Sequence, residues 1–516
     1  MDNFLSQVEK INGIVNDFVW GPFGLVLLIG IGILMTYLTK AFQFSRISEW
    51  WKTTIGSVFK KGAVSRNNKE KGAVSQFQAL CTALAATIGT GNFAGVAGAI
   101  IIGGPGAVFW MWMAALFGMM TNFSENVLGI YFRRKNSEGE WSGGAMYYLK
   151  DGLGKIVGYE NIGAVLAVLF SCFAILASFG IGNMSQINTI VNNVESAFFS
   201  NVETGYIFGN VSYVSFILGI VLMILGGLII LGGLQRIAKF AEKVVPFMAV
   251  IYIAGALFIC GYHFNMLGDI FKAIFKFAFG VKAVAGGAAG IAIKKVIVQG
   301  CKRGVFSNEA GLGSSVMVHS NSNVIEPVRQ GMWGIFEVFA DTIVVCTMTA
   351  IVVLSFGQSS GQIDLSTGTV VDGADNSTFV AQAFGEIFGK GGEIFIALAV
   401  LLFAFTTVLG WSHYGSKSFE YLFGVKAAKG YKVFFVLLIV VSSIMKNSLA
   451  WDISDTFNGL MMIPNLIGVL ALSPLVVKIT RNYVDRRIRG KKVEPIISVF
   501  PDIQKEQVEK LNRGEE

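Results

Sequence analysis

The chain has 516 residues, 53% of them hydrophobic and only 14% charged, with a mean hydropathy of +0.61. Soluble domains carry about 25% charged residues, so composition excludes an ordinary soluble protein and makes the bilayer the solvent. The net charge of +8 comes with no soluble basic face, which excludes a nucleic-acid partner.

The five cysteines form no CxxC, the three histidines lie far apart, and no P-loop motif is present. A disulfide frame, a metal cluster and an ATPase module therefore fall away. Residues 1–17 contain Asp2, Glu9, Lys10 and Asp17, which is no basic leader. The first apolar run, 18–39, is charge-free and long enough to cross, since a span needs about 20 apolar residues. Between Lys71 and Glu125 nothing is charged, too long a run for one crossing. The sequence GGPG at 103–106 supplies a tight turn, so a helical hairpin is expected, with spans at 76–102 and 106–132. Further spans are expected near 160–190, 212–235, 244–264, 330–357, 394–416, 433–445 and 456–477. A shorter, glycine-rich segment at 281–300 brings the count to about eleven.

Loop cations orient the spans. Loop 40–75 is rich in Lys and Arg, and basic residues return at Arg133 to Lys135, at Arg236, Lys239 and Lys243, at Lys302 and Arg303, at Lys417, Lys426 and Lys429, and in the tail from Lys478. These loops are expected in the cytoplasm. Loops 191–212 and 357–390 are acidic on balance. Loop 265–282, with Lys272, Lys276 and Lys282, is placed outside against the rule. The chain is thus expected in the cell membrane, N-terminus outside and C-terminus cytoplasmic. With the first span set aside, five spans begin from the cytoplasm and five from outside, an inverted repeat. The expected fold class is an all-α polytopic membrane protein. Its divisions are 1–75 (first helix and basic loop), 76–265 and 266–480 (the two repeats), and 481–516 (tail).

Two segments interrupt this pattern. AATIGTGNFAG, residues 85–95, opens the first repeat, and VAGGAAGIAIKK, residues 284–295, opens the second. Paired glycine-interrupted helices in corresponding positions point to a transporter's binding site. A break strands backbone N–H and C=O groups that hydrocarbon cannot satisfy. Half-helix N-termini attract a carboxylate, and free carbonyls attract a cation. Gly91 and Gly95 also fit a GxxxG packing face, with Gly95 packing while Gly89 and Gly91 unwind.

GTGN (89–92), GGPGAVFWMWMAALFGM (103–119) and RGVFSNEAGLGSS (303–315) resemble the alanine or glycine:cation symporter family, from about Gln76 to the last span. That family is similar to the LeuT-type transporters, with ten core helices in two inverted repeats and two broken helices. The resemblance implies import of alanine or glycine coupled to Na+, with no other cofactor. It implies Na+ ligation by the carbonyls of Ala85, Ile88 and Phe403 and the hydroxyls of Thr406 and Thr407.

The residues themselves suggest the rest of the site. The N–H groups of Thr90 and Gly91, where the helix half near Asn92 begins, suit the substrate carboxylate. Either Gln186 or Asn183 is a further amide donor, or both are bonds between helices. Carbonyls of the second break, at Gly287, Ala289, Gly290 and Ile291, suit the ammonium. Trp411 lies one turn beyond Thr407 and shares its face, either roofing a small pocket or facing lipid. Asp341, Glu125 and Glu337 are intramembrane acids; Asp341 is a second cation ligand, a proton carrier or a brace for the first break. Arg303, Ser307, Asn308 and Glu309 are expected as a cytoplasmic gate. Proton coupling through Asp341 on the same scaffold is the alternative to Na+ symport. A channel is disfavoured by the two broken helices, and no nucleophile–base pair suggests an enzyme.

Overall fold

Helix boundaries in this chain are set by local chemistry that the apolar runs conceal. The computed structural model describes residues 2–60, 66, 70, 72–156, 158–199, 205–208, 211–279, 288–371, 375–445 and 447–515. An amphipathic helix α1 (Asp2–Val19) leads into α2 (Pro22–Leu38), where Pro22 sits in the first turn, a position that needs no N–H. After the basic loop, Ser75 and Gln78 form a reciprocal capping box that starts α3 (Gln76–Thr87). The chain then bends by 53° and continues through a π-turn, Gly91–Gly95, into α4 (Val96–Gly103). Gly104, at φ +74°, turns the chain into α5 (Ala107–Tyr131), as the GGPG run predicts.

The expected 160–190 span is longer. It comprises α6 (Glu160–Phe179), a π-turn at Gly180–Met184 and α7 (Ser185–Phe198). Next come α8 (Tyr213–Ile230), α9 (Leu234–Tyr262) and an amphipathic helix α10 (Leu267–Phe279). α10 buries Ile270, Ala273, Ile274 and Phe277 and exposes Lys272 and Lys276. Two of the cations that break the loop rule, Lys272 and Lys276, therefore ride on a surface helix, and the third, Lys282, lies outside the described residues.

The second half begins with α11 (Ala288–Asn308) and α12 (Val316–His319). α13 (Pro327–Val338) passes through a π-turn at Phe339–Cys346 into α14 (Thr347–Ser359). A short helix α15 (Phe379–Phe388) precedes α16 (Lys390–Phe423), 34 residues long. α17 (Val425–Ser443) and α18 (Asn447–Ala471) follow. α17 starts well before the expected 433, because Lys426, Lys429 and Lys432 lie inside the helix. α19 (Ser473–Tyr483) leaves α18 at a sharp bend, and α20 (Pro501–Asn512) folds back so that Val499 N–H bonds Tyr131 C=O.

Among the described residues, seven helices are long and apolar enough to cross a membrane, and nine if each of two bent pairs is one span. α11 and α17 are of spanning length too but carry several cations. α3 packs on α9 and α16, α5 on α11 and α13, α7 on α16, and α6 on α18. The first break thus sits in the middle, with α11, α16 and the α13–α14 turn around it.

One expectation is corrected for the described part of its segment: no break falls at 288–295. Gly287 lies outside the described residues, and from Ala288 to Asn308 the chain is one helix. The interruption falls at 309–315, where Glu309, Gly311 and Gly313 have φ of +58°, +92° and +71°. Left-handed conformations cannot continue an α-helix, so the chain leaves α11 there and resumes in α12.

Candidate functional site

The first break is small and nearly every polar group in it is engaged. Ile88 is extended, with ψ 93°. The Gly89 N–H donates to Asn92 Oδ1 at 2.9 Å, and the Thr90 N–H donates to Gln186 Oε1 at 3.1 Å. A buried N–H must find an acceptor, and in this structure Gln186 supplies it. The Gln186 NH2 group turns away to Ile181 C=O at 2.8 Å. This corrects the expectation that Gln186 presents its donor to the break; its oxygen faces it. The Thr90 hydroxyl is buried and has no hydrogen-bond partner among the described residues.

On the far side stands α16. Thr407 Oγ1 lies 2.9 Å from the Ala85 carbonyl, 3.4 Å from that of Ile88 and 3.1 Å from that of Phe403. Thr406 Oγ1 lies 2.8 Å from the Phe403 carbonyl. Five oxygens from Ala85, Ile88, Phe403, Thr406 and Thr407 are therefore gathered in one place. All are neutral and hard, the donor chemistry a sodium ion takes, with roughly five or six oxygens. The close approach of α3 to α16 rests on small residues: a Cβ on Gly410 would lie 2.6 Å from Ala86 Cβ.

Gly89 faces the gap between Thr407 and Gln186, and a Cβ there would overlap the Thr407 hydroxyl. Gly91 faces α11, where a Cβ would lie 3.1 Å from Ser307 Cα. Gly95 has nothing nearer than Thr90 O at 3.8 Å. The packing glycine is thus Gly91, not Gly95, because the bend swings residue 91 onto α11.

Asn92 and Asp341 form a brace. Asn92 Nδ2 donates to Asp341 Oδ1 at 2.7 Å, while its own oxygen holds the Gly89 N–H. Ser307 Oγ and Thr342 Oγ1 donate to Asp341 Oδ2 at 2.7 and 2.8 Å. One carboxylate therefore ties the first break to α11 and to the α13–α14 π-turn. Both polar ends of the Asn92 side chain are thus engaged within the protein. Asn183 donates to Phe435 C=O on α17 at 3.0 Å, a bond between helices rather than one to the break.

Trp411 is fully buried. It packs on Gly182, its ring lies 5.2 Å from that of Tyr414, and its indole sits beside the Glu309 carboxylate. A lipid-facing tryptophan is excluded. Trp411 thereby joins α16 to the second break.

That break was legible only as a family motif. Asn308 Oδ1 accepts the Ala310 N–H at 3.0 Å, and Ser314 Oγ donates to Glu309 Oε2 at 2.6 Å. Asn465 Nδ2 donates to Gly311 C=O and to Glu125 Oε1, at 2.8 and 2.5 Å. The signal available in the sequence was the GLG of NEAGLGSS, two glycines flanked by side chains able to cap loose backbone. Ala289, Gly290 and Ile291 lie in the first turn of α11. At 1.5 Å per residue they are about 24 to 27 Å along the helix from Ser307, too far to share a ligand with the first break.

The expected cytoplasmic gate also dissolves. Lys302 and Arg303 are inside α11 and pair with Asp455 on α18, at 2.7 and 3.0 Å. Lys302 also reaches Asn16 Oδ1 at 3.1 Å, and Arg303 lies over the Trp451 ring at 4.9 Å. Ser307 and Asn308 belong to the centre, one turn further on. Glu337 pairs with His319 at 2.9 Å and accepts from Asn122 at 3.3 Å. Glu125 and Glu337 thus join α5 to the second break and to α12–α13.

Comparison with known proteins adds four findings. Residues 5–497 match the sodium:alanine symporter family. The chain is 41% identical over 491 residues to the sodium/alanine symporter AgcS of Methanococcus maripaludis, covering 94% of this chain and 98% of that one. It is 37% identical over 486 residues to the probable sodium/glutamine symporter GlnT of Bacillus subtilis, covering 94% and 92%. Among solved structures, MhsT in complex with L-phenylalanine superposes with a TM-score of 0.54 at 14% identity, over 80% of this chain and 99% of that one. That likeness shows the fold alone, which is LeuT-type.

Proposed function

The chain belongs to the sodium:alanine symporter family, and from that premise we propose that it imports small neutral amino acids, alanine and glycine, together with Na+ by alternating access. It is a multi-pass membrane protein and a cation-coupled amino-acid symporter. The observation that carries the finer reading is the meeting of Thr407 with the Ala85, Ile88 and Phe403 carbonyls. An all-oxygen, uncharged donor set at a helix break suits a monovalent cation.

The substrate is read to lie between Gly89, Gln186 and Trp411. Its carboxylate takes the Thr90 and Gly91 N–H groups, displacing Gln186 Oε1 from the first of them. The unpartnered Thr90 hydroxyl supports a polar ligand here. The ammonium takes carbonyls of the 309–315 break. The buried indole of Trp411 limits the side chain to a methyl group or less. The N-terminus is read as external and the tail as cytoplasmic, from the basic loops.

Counterflow of radiolabelled alanine and glycine in proteoliposomes tests the proposal. Uptake is expected to require Na+ on the substrate side at constant pH. Uptake that follows a pH gradient without Na+ would replace Na+ symport by proton coupling on the same scaffold.

A further inference from the structure

Helix α2 packs against α5 and α18, and two cavities lie in succession along it. The first, of about 540 Å³, is a groove with Pro22, Val26, Gly30 and Leu34 on one side and Leu470 on the other. Those four residues recur at every fourth position, and Leu38 continues the same face. Leu38 opens the second cavity, of about 100 Å³, enclosed between the end of α2 and α19. Its walls include Phe42, Val477 and Val484 with the hydroxyl residues Thr39, Ser45 and Thr480, and its charged groups are all cationic: Lys40, Arg46, Arg481 and Arg489.

No carboxylate lines the second cavity. Arg489 is neutralised by Asp485 at 3.0 Å. Among the described residues, Lys40, Arg46 and Arg481 have no carboxylate partner. The chain holds Lys40 and Ala41 in succession at φ +59° and +50°, a conformation that side chains avoid. Ala41 N–H bonds Thr36 C=O at 2.6 Å, and Ser45 Oγ bonds Lys40 C=O at 2.9 Å. This tight reversal carries the chain from α2 back toward α19 and sets Lys40 and Arg46 on the same cavity.

Dimensions match a lipid of one leaflet. From Pro22 to Leu34 the helix rises about 18 Å, close to half of the ~30 Å hydrocarbon core. The cationic end lies with the basic loop, on the side assigned to the cytoplasm. Basic pockets between membrane helices on that side suit anionic headgroups. We propose that the groove and its cationic end hold one anionic phospholipid, an acyl chain along α2 and the headgroup phosphate among Lys40, Arg46 and Arg481. Such a lipid bridges α2 to the α18–α19 junction. The proposal stands apart from the amino-acid site and does not depend on which substrate is carried.

The test uses the purified full-length protein. Delipidated protein is titrated with phosphatidylglycerol, with phosphatidylcholine of the same chains, and with glycerol 3-phosphate, reading bound lipid by native mass spectrometry and melting temperature in parallel. Phosphatidylglycerol is expected to be retained and to raise the melting temperature, and the other two are not. At about fivefold per basic residue near the surface, Arg46→Gln with Arg481→Gln should cut retention about 25-fold, with recovery in the lysine double variant. Equal retention of phosphatidylcholine would reduce the site to an apolar groove. Equal protection by glycerol 3-phosphate would make it a free-anion site. Unchanged retention in the double glutamine variant would remove the arginines from it. Each of these overturns the proposal, and should that variant fail to fold, the three-ligand comparison on the unaltered protein still decides.

Discussion

A Cβ at Gly89 would overlap the Thr407 hydroxyl and lie 2.9 Å from Gln186 Oε1. Neither neighbour can give way cheaply. Thr407 is held by three carbonyls, and Gln186 is held by Ile181 C=O and Thr90 N–H. Gly89→Ala is therefore expected to abolish Na+-dependent alanine binding while the protein stays inserted and monodisperse, read by isothermal titration and size exclusion. Gly91→Leu should behave differently, because its side chain would meet the α11 backbone at Ser307; stability and binding should fall together. Thr407→Ala removes the one oxygen that meets all three carbonyls. Losing a ligand of a charged group costs about 1–3 kcal/mol, roughly 5- to 150-fold in Na+ half-saturation. An unchanged half-saturation in that variant would place the ion elsewhere.

Between elements, a buried polar tie joins α11 to α18. Lys302 and Arg303 share Asp455, and all three side chains are under a tenth exposed. Removing the shared counter-ion strands two buried cations, and breaking a buried pair in this way costs about 3–5 kcal/mol. Asp455→Asn should therefore lower the melting temperature far more than Lys302→Met, which leaves Arg303 paired. Equal losses in the two variants would show that Asp455 is not the common partner. This tie explains why loop-charge counting misplaced the two cations. The positive-inside rule weighs Lys and Arg by sequence position, and their partner stands 152 residues away from Arg303. The Asp341 brace has the same character: beside its neighbour Thr342, its donors Asn92 and Ser307 stand 249 and 34 residues away.

For the molecule as a whole, the proposed ion and substrate sites share one turn of chain. The carbonyls of Ala85 and Ile88 face Thr407, and two residues later the Thr90 N–H faces Gln186. Binding of either ligand should order the turn for the other. Linkage requires the effect to be reciprocal. Saturating Na+ is expected to tighten alanine binding by roughly 5- to 150-fold, and alanine to tighten Na+ binding by the same factor. Paired titrations, each at zero and saturating levels of the second ligand, measure both factors. Alanine affinity that ignores Na+ would separate the two sites.

The amino-acid sequence alone determined the solvent, the helical class, the hairpin at GGPG and the first break, because each follows from local composition or from glycine next to polar residues. The family resemblance pointed to the Thr406–Thr407 pair, of which Thr407 meets the first break. The sequence did not determine where the second break falls. Two glycine-bearing segments, 284–295 and 309–315, compete for that role in the sequence, and glycine count favours the first. Among the described residues the tertiary structure places an interruption at the second, since 288–295 is helical while 309–315 carries left-handed residues and lies beside Trp411 and Asn465. Nor could sequence tell a packing glycine from one beside a ligand site: Gly89 and Gly91 differ only in which helix each faces. The reason is physical. Backbone breaks and buried charges are tolerated in a membrane only when distant residues satisfy them, and those partners are chosen by the fold, not by the neighbouring chain.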